Sequence, residues 1–407
     1  MKIAVIAMVL NAKSGGARLA LETARQFRAI GHDVAVYTFR LASDRCFPDL
    51  LRGLRVVTPP PGFSIKEMKS YKIIPGFSAI ISVVNRHRIA RTLAALVDPD
   101  TELLNPHSAV ACGLVAYYFR KRVKSVPSVW HMNSLPFLIF WGGDEENIAQ
   151  PQGLKRWLFR VIDVLDRRFL RRAVDAISVL DHETESLARR HFPRLKVAVN
   201  RTGIDARRFS FRARTPLVGR PVRLLCHSSF MPARRFENAI QALAILCSWG
   251  YECRLVISGE CALNRAYRAY RDKLIVLTDI LGMRERVTFP GSISDQELVE
   301  EFSTSDIFIH PHYPQTWGMA VFEAMATGLP AVVSYGAGAH EVLKDGEQAL
   351  LVDSRSPLAI AQAVKVMIEN PELYLKLSKN GAEFVRRELT WARHVEQILQ
   401  LVSVSGG

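Results

Sequence analysis

Four short segments of this 407-residue chain combine residue types and spacings that chemistry could use. The first is QTWGMAVFEAMATGLPAVVS (315–334), in which a helical pattern ends at Gly328 before Pro330. Glu323 stands inside this pattern with apolar neighbours on both sides. A buried carboxylate without partners would be costly, so Glu323 needs donors such as ligand hydroxyls or backbone amides. A hydroxyl-rich ligand satisfies this need.

Arg234 and Arg235 form the second candidate, at the start of the helical pattern that follows SSFMPA (228–233). Cations at a helix N-terminus oppose the helix dipole, so the pair requires a local reason. A bound anion would provide it, and the alternative is a pair of solvated side chains. We therefore predict an anion site at this helix start.

The third candidate is the loop NAKSGGAR (11–18), between a strand-like run and a helical pattern. It lacks the three-glycine G-x-G-x-x-G spacing, which disfavours a dinucleotide site. Gly15 and Gly16 still allow backbone N–H groups to approach an anion closely. The alternative interpretation is a tight turn that packs against a sheet.

Histidines at the ends of strand-like runs form the fourth group. His107 ends LLNPH and His131 ends SVWH, so both are expected to face a ligand cleft instead of a core. A lone histidine is more often a hydrogen-bonded structural residue, and this alternative stays open for each. His310 and His312 have no acidic or cysteine partner nearby, so we favour loop residues over a metal site.

The elements that must position these residues occur in two series. KIAVIAMV, the Gly-containing loop, a helix ending at Gly31 and the run 33–39 make a β-α-β unit, and further short strands alternate with helices after it. The pattern restarts at VRLLCHSS (222–229), after a basic, Pro-containing break at 203–221. The sequence thus predicts two doubly wound α/β domains, with ligands outside the carboxyl ends of their strands.

Composition limits the class of protein. With 49% hydrophobic and 23% charged residues the chain should be globular, and six scattered cysteines indicate neither a zinc site nor a disulfide framework. No apolar run is long enough to span a membrane, and a reducing cytoplasm is the simplest location. Residues 1–204 hold 31 Lys/Arg and 17 Asp/Glu (+14), whereas residues 205–407 hold 23 and 22 (+1).

The basic first half predicts an anionic partner. Nucleic acid is disfavoured because aromatic interleaving and nucleic-acid motifs are missing. Segments 64–91 and 153–172 mix Lys/Arg with Trp, Phe, Leu and Ile, as suits an anionic membrane surface. Amphipathic helices that pack an apolar face on the domain and leave a basic face in water are an equally good interpretation.

Motifs along almost the whole chain resemble those of one enzyme family. They are SGGARLALETARQFRAIGHDVAVYT, VNRTGIDARRF, the long stretch from VTFPGSISD to EQALLVD, and LTWARHVEQIL. They resemble the group 1 glycosyltransferases (glycosyltransferase family 4), retaining enzymes of the GT-B fold, in which two Rossmann-like doubly wound domains face each other across a cleft. The resemblance implies an acceptor-binding domain at 1–204 plus 388–407, and a nucleotide-sugar-binding domain at 205–387.

The resemblance also implies roles for residues. Of the family's two glutamates eight positions apart, the second is Glu323, expected on the ribose hydroxyls, but the first is replaced by Gln315. The family's phosphate-binding Arg and Lys correspond to Ser229 and Arg234, so one cation is lost and one retained. The implied catalytic residues are His131, Arg234 and Gln315, and the implied donor-binding residues are Gly15, Gly16, Ser228, Ser229, Trp317, Gly318, Met319 and Glu323.

The implied reaction moves a sugar from a nucleoside diphosphate sugar to an acceptor hydroxyl with retention, without a metal or other cofactor. The expected acceptor is a glycan or lipid-linked glycan in cell-surface polysaccharide synthesis, at the inner face of the cell membrane. The alternatives are a catalytically reduced sugar-nucleotide-binding partner, favoured by Gln315 and Ser229, and an oxidoreductase, disfavoured by the missing fingerprint.

Overall fold

The computed structural model describes residues 1–60, 77–133, 153–261, 265–313 and 317–403. The chain divides into two compact units: unit 1 comprises Met1–Thr202 and the segment from Trp391 onward, and unit 2 comprises Gly203–Thr390. The sequence-based boundaries differ from this division by two residues at the first crossing (204 against 202) and three at the second (388 against 391). The roles expected of the two domains stay predictions.

Unit 1 is built on parallel strands in the order β3-β2-β1-β4 and β5-β6-β7. Parallel bridges Leu104–Ser128 and His107–His131 connect β4 to β5, so the two ladders continue each other. The combined order 3-2-1-4-5-6-7 is that of a doubly wound fold, with its topological switch between β1 and β4. The strands are β1 Lys2–Leu10, β2 Asp33–Leu41, β3 Arg55–Val57, β4 Leu103–Pro106, β5 Val129–Met132, β6 Ala176–Val179 and β7 Lys196–Val199.

Helices cover both faces of this sheet, because its strands are apolar on both sides. Leu104, Trp130 and Ile177 belong to one core, and Val5, Val36 and Val129 belong to the other. The helices are α1 Gly15–Ala29, α2 Pro48–Leu51, α3 Phe77–Leu96, α4 Val110–Arg122, α5 Gly153–Ala173 and α6 His182–His191.

The packing of α5 against α4 depends on a glycine. A Cβ atom on Gly113 would lie 2.7 Å from Leu170 Cδ2 and 3.4 Å from the Trp130 ring. The absence of a side chain at Gly113 therefore allows the two helices to approach each other over the sheet.

Unit 2 has a single parallel sheet in the order β10-β9-β8-β11-β12-β13, which repeats the doubly wound order and places the switch between β8 and β11. Its strands are β8 Val222–His227, β9 Cys253–Ser258, β10 Val287–Gly291, β11 Ile307–His310, β12 Ala331–Ser334 and β13 Leu350–Val352. Its helices are α7 Phe236–Ser248, α8 Arg265–Ile280, α9 Asp295–Thr304, α10 Met319–Ala326, α11 Pro357–Glu369 and α12 Pro371–Glu388.

The break predicted at 203–221 is anchored in unit 2. The Arg214 guanidinium donates to the carbonyl oxygens of Phe302, Ser303, Ser305 and Thr327, at distances from 2.6 to 3.3 Å. This segment therefore packs against α9 and the end of α10 as part of the unit.

The last helix, α13 (Trp391–Ser403), returns to unit 1. Its Val395, Ile398 and Leu401 lie in the same core as the buried face of α1. Asn200 Nδ2 donates to the His394 carbonyl at 3.1 Å, which fastens the helix to the end of β7. Within the described ranges, no helix combines the length and apolarity needed to cross a membrane.

Candidate functional site

In unit 2, the predicted donor-binding residues gather on the two loops that leave the switch point. Ser228, Ser229 and Arg234 follow β8, whereas Trp317 and Gly318 follow β11. A direct bond between the loops, from Tyr313 N to the Ala233 carbonyl at 2.9 Å, holds them together. The carboxyl ends of strands on either side of a switch point form the ligand crevice of such sheets.

A close backbone contact fixes the loop after β8. Ser228 N donates to the Ser258 carbonyl at 3.1 Å, and a Cβ atom on Gly259 would lie only 1.8 Å from the Ser228 carbonyl oxygen. Gly259 also has a φ of +138°, in the region that favours glycine. Only glycine fits at position 259, and it keeps Ser228 against the end of β9.

Arg234 is a partly buried cation, and no carboxylate pairs with it in the part of the chain that the structure describes. It ends the short 3₁₀ turn Pro232–Arg234 before α7. Among the residues the structure describes, its Nε has no hydrogen-bond partner, and its Nη2 contacts only Met231 Sδ, at 4.0 Å. Burial lowers the pKa of Arg234 to about 10, although the nearby phenols of Tyr267 and Tyr270 act in the opposite direction. A bound anion would remove this penalty.

The loop after β11 leads directly into α10. Gly318 takes up a φ of +98°, and a Cβ atom there would lie 2.7 Å from His310 Nε2. The glycine therefore lets the start of α10 rest on the His310 ring. Trp317 is 2% exposed and stacks on Phe322 with ring centroids 4.6 Å apart, which fixes the helix start from the core side.

Glu323 is the fifth residue of α10 and is 5% exposed, as its apolar neighbours predict. His310 and His312 are each 1% exposed, and their ring centroids are 3.7 Å apart. His310 ends β11 and His312 lies in the loop after it, so both are buried neighbours of the site. Gln315 lies outside the described residues.

In unit 1, the switch point lies at the start of α1. Ser14 caps the helix by accepting a hydrogen bond from Ala17 N at 3.2 Å, and Gly15 and Gly16 form its first turn. A Cβ atom on Gly16 would lie 2.8 Å from Asn133 Nδ2 and 3.4 Å from Ser108 Oγ. The helix start is thus lined by an amide and a hydroxyl from the ends of β5 and β4.

His107 and His131 are buried in unit 1, at 2% and 0% exposure, which corrects the expectation that they face an open cleft. The His131 ring lies between those of His107 and His394, with centroids 5.4 Å from each. His131 Nδ1 is hydrogen-bonded to Ser178 Oγ at 2.9 Å. The physical reason is that α13 covers this end of the sheet and brings His394 onto β5 and β6.

Burial keeps these three imidazoles neutral. It lowers the pKa of His107 to about 3 and that of His394 to about 4, and it holds the pKa of His131 well below its usual value. His131 Nε2 and His394 Nε2 have no hydrogen-bond partner within the described ranges. At neutral pH the cluster can donate or accept hydrogen bonds, but it carries no charge.

The sequence analysis did not predict Asn133 and Ser108 as site residues. Asn133 follows His131 by two positions in WHMNS. Residues two positions apart on a strand lie on the same face, so the sequence could have indicated that Asn133 lies just beyond the buried histidine on that face. Ser108 has a left-handed backbone with φ +57°, and its N–H donates to the His131 carbonyl at 2.8 Å. A serine in this conformation has no signal in the sequence.

The two switch points offer different chemical groups. Unit 2 offers a partly buried guanidinium and a buried carboxylate, which can bind an anionic group and hydroxyls. Unit 1 offers backbone N–H groups, an amide and a hydroxyl. In the part of the chain that the structure describes, no group of three His, Cys, Asp or Glu side chains is placed to hold a metal ion.

Comparison with known families gives two matches that follow each other along the chain. The family described as "Glycosyl transferase 4-like domain" matches residues 14–203, and the family described as "Glycosyl transferases group 1" matches residues 208–384.

Curated relatives are similar over part of their length. A mannosylfructose-phosphate synthase of Agrobacterium fabrum is 26% identical over 49% of this chain and 43% of its own. A GDP-mannose-dependent alpha-(1-6)-phosphatidylinositol dimannoside mannosyltransferase of Mycobacterium tuberculosis is 30% identical over 53% and 55%. The alpha-D-kanosaminyltransferase of Streptomyces kanamyceticus is 23% identical over 73% and 74%. The chain thus spans about half the length of the first two relatives.

Solved structures share the fold over the whole chain. HepE of Anabaena, solved in complex with UDP and glucose, has a TM-score of 0.72 at 17% identity and covers 99% of this chain and 100% of its own. The sucrose-phosphate synthase of Thermosynechococcus elongatus has a TM-score of 0.76 at 18% identity, with 99% and 98% covered.

Proposed function

Because the chain belongs to the group 1 glycosyltransferases of glycosyltransferase family 4 and has their GT-B fold, we propose that it transfers a sugar from a nucleoside diphosphate sugar to an acceptor hydroxyl. The reaction proceeds with retention at the anomeric carbon and without a metal ion or other cofactor. The departing phosphate oxygen takes the proton of the acceptor hydroxyl.

One observation carries this proposal: the Arg234 guanidinium is partly buried beside the switch point of unit 2, its Nε is fully buried, and it has no carboxylate partner in the described part of the chain. The donor's diphosphate gains charge as the glycosidic bond breaks. A guanidinium that is already partly removed from water interacts strongly with that charge and needs little reorganisation. Hydrogen bonds to charged groups contribute about 1.5–3 kcal/mol each, so Arg234 alone would account for a large share of phosphate binding.

Other residues hold the rest of the donor. Glu323 accepts hydrogen bonds from the ribose hydroxyls, Ser228 and Ser229 donate to the diphosphate, and the first amides of α10 at Gly318 and Met319 add partial positive charge. Trp317 shapes this helix start through its stack on Phe322. Gln315, in the position of the family's first glutamate, contacts the sugar ring as a neutral donor and acceptor.

Unit 1 provides polar groups for the reacting sugar. The N–H groups of Gly15 and Gly16 approach a donor phosphate. The buried His131, a neutral imidazole held by Ser178, acts on the sugar only by positioning the groups around it. Because Asn133 and Ser108 line the first turn of α1, they are additional candidates for contact with sugar or acceptor hydroxyls.

The proposed acceptor is a glycan or lipid-linked glycan, and the protein works as a peripheral protein on the inner face of the cell membrane in surface polysaccharide synthesis. The excess charge of +14 in residues 1–204 supports this location. A relative named for a phosphatidylinositol dimannoside acceptor supports a glycolipid substrate.

A thermal-shift panel of nucleoside diphosphate sugars, including UDP-glucose and GDP-mannose, tests donor binding. A ligand that binds only the folded chain raises the Tm according to its affinity. One donor should raise the Tm of the parent and not that of Glu323→Gln, which keeps the side-chain volume. The exposed Glu347→Gln is the matched control and should respond like the parent. No response to any donor, or an undiminished response of Glu323→Gln, would contradict the proposal.

Gln315 and Ser229 favour a second candidate, a catalytically reduced partner that binds a nucleotide sugar without transferring it. Transfer and donor hydrolysis are therefore measured in the parent and in Gln315→Glu. Activity in the parent supports the enzyme, and activity only in the substituted chain supports the second candidate. The anomeric configuration of the product, read by NMR, decides between retention and inversion.

A further inference from the structure

Helix α5 has two faces of opposite character. Its inner face is buried and includes Ile162, Asp163, Asp166 and Leu170. Both carboxylates on this face are paired with arginine: Asp163 with Arg167 at 2.6 Å, and Asp166 with Arg86 of α3 at 2.5 Å. The negative charges of the described helix are thus neutralised and turned towards the protein.

The outer face of α5 displays three large apolar side chains and three arginines. Trp157, Val164 and Leu165 are 60%, 56% and 46% exposed, and Arg168, Arg171 and Arg172 are also exposed. At about 100° per residue, these six positions fall within an arc of about 120°. No carboxylate lies on this arc among its described positions.

A solvated basic face does not account for this arrangement. Single exposed apolar residues are common on protein surfaces, but a Trp, a Val and a Leu on one arc of one helix mark a contact surface. The apolar side chains occupy the first turns of this arc and the arginines its last turns. Such a helix can immerse its apolar part in an acyl boundary while guanidinium groups bind lipid phosphates.

We propose that the outer face of α5 docks the protein on an anionic bilayer, with Trp157, Val164 and Leu165 inserted at the headgroup level and Arg168, Arg171 and Arg172 on lipid phosphates. The charge of the surface and the absence of carboxylates on its described arc select an anionic lipid over a neutral one. The proposed function includes a membrane location, and α5 is the surface that would bind there. The proposal rests on the proposed function for this location alone.

Vesicle flotation of the full chain tests the proposal, with vesicles of phosphatidylcholine with or without phosphatidylglycerol. The parent should bind only the anionic vesicles, and high salt should weaken the binding. The double variant Arg168→Gln/Arg172→Gln should lose about fivefold in affinity for each arginine, or roughly 25-fold together. Trp157→Ser should remove most of the binding that resists salt. Arg171 is left unchanged because its Nη2 donates to the His191 carbonyl at 3.0 Å.

The matched control is Arg45→Gln/Arg52→Gln, which removes the same charge from exposed positions between β2 and β3 and should bind like the parent. Equal loss in the control, no binding to anionic vesicles, or equal binding to neutral vesicles would overturn the proposal. Self-association of the parent that Trp157→Ser abolishes would overturn it in favour of a second copy. The donor-induced shift in Tm is measured on the parent and on every variant. If the parent shows this shift but does not bind anionic vesicles, the docking proposal for α5 is refuted and the proposed function is not. If the parent shows no shift with any donor, the proposed function is refuted.

Discussion

The two units share a strand order but differ in the chemistry of their switch points. Unit 1 places neutral groups there: imidazoles whose pKa values burial has lowered, an amide and a hydroxyl. Unit 2 places a partly buried guanidinium and a buried carboxylate at the same topological position. Yet unit 1 has nearly all of the net positive charge in the sequence. The total charge of a domain therefore does not indicate where a partly desolvated cation lies, because solvated surface side chains make up most of that charge.

The largest expected effect concerns acid stability, which should distinguish the units. His394 has a folded pKa of about 4, against about 6.5 for a free histidine. Above pH 6.5 neither the folded nor the unfolded chain is protonated there, so the stability of unit 1 is fully present. As the pH falls from 6.5 to 4, only the unfolded chain takes up the proton, and about 3 kcal/mol is lost. His107 continues the loss to about pH 3.

His394→Gln should reduce this pH dependence between pH 6.5 and 4, because glutamine does not titrate whereas His107 and His131 still do. Urea unfolding at a series of pH values measures the slope, and hydrogen exchange assigns it to unit 1. His182→Gln, at an exposed position of α6, is the control and should keep the parental slope. An unchanged slope in His394→Gln would mean that the cluster does not govern acid unfolding.

The next effect tests the charge in unit 2. Arg234→Met replaces a desolvated cation with an apolar side chain of similar length, so the unliganded protein should be as stable as the parent or more stable, by about 1 kcal/mol. Donor affinity should fall between tenfold and a hundredfold because a charge-assisted bond to phosphate is lost. Urea unfolding and donor titration measure the two quantities, and Arg254→Met at an exposed position of β9 is the control. Lower stability with unchanged donor affinity would contradict the assigned role.

The smallest effect tests the neutral site in unit 1. In Gly16→Ala the new Cβ atom would meet Asn133 Nδ2 at 2.8 Å, so the amide must shift. Turnover should fall a few-fold, while stability changes by less than about 1 kcal/mol because alanine favours the helix. In an Asn133→Ser background the same change should have little further effect on kcat. Independent, additive effects of the two substitutions would show that the contact does not matter.

The sequence predicted most of the fold. The apolar run VRLLCHSS became β8, because strands buried on both faces of a parallel sheet must be continuously apolar. β7 was missed: KVAV is short and begins with an exposed lysine, so its pattern is too weak to separate from a loop. The fold class was confirmed by the solved structures that share it.

The site was less predictable. The buried state of Glu323 follows from its neighbours along the helix, which is local information. The burial of His131 depends on His394, which is 263 positions away (394 − 131) and packs there only because α13 returns to unit 1. The approach of Asn133 to Gly16 likewise depends on the register of two strands and on a left-handed serine. Contacts between distant segments have no periodic signal.

The return of α13 to unit 1 has a consequence for biosynthesis. Unit 2 is inserted in the chain of unit 1, so the ribosome makes all of residues 203–390 before it makes the helix that closes the core around His131. Until then, the face of the sheet that Val395, Ile398 and Leu401 cover is open to water or to chaperones. Unit 2 can fold during translation as soon as it emerges, whereas the earlier-made unit must wait for the last helix.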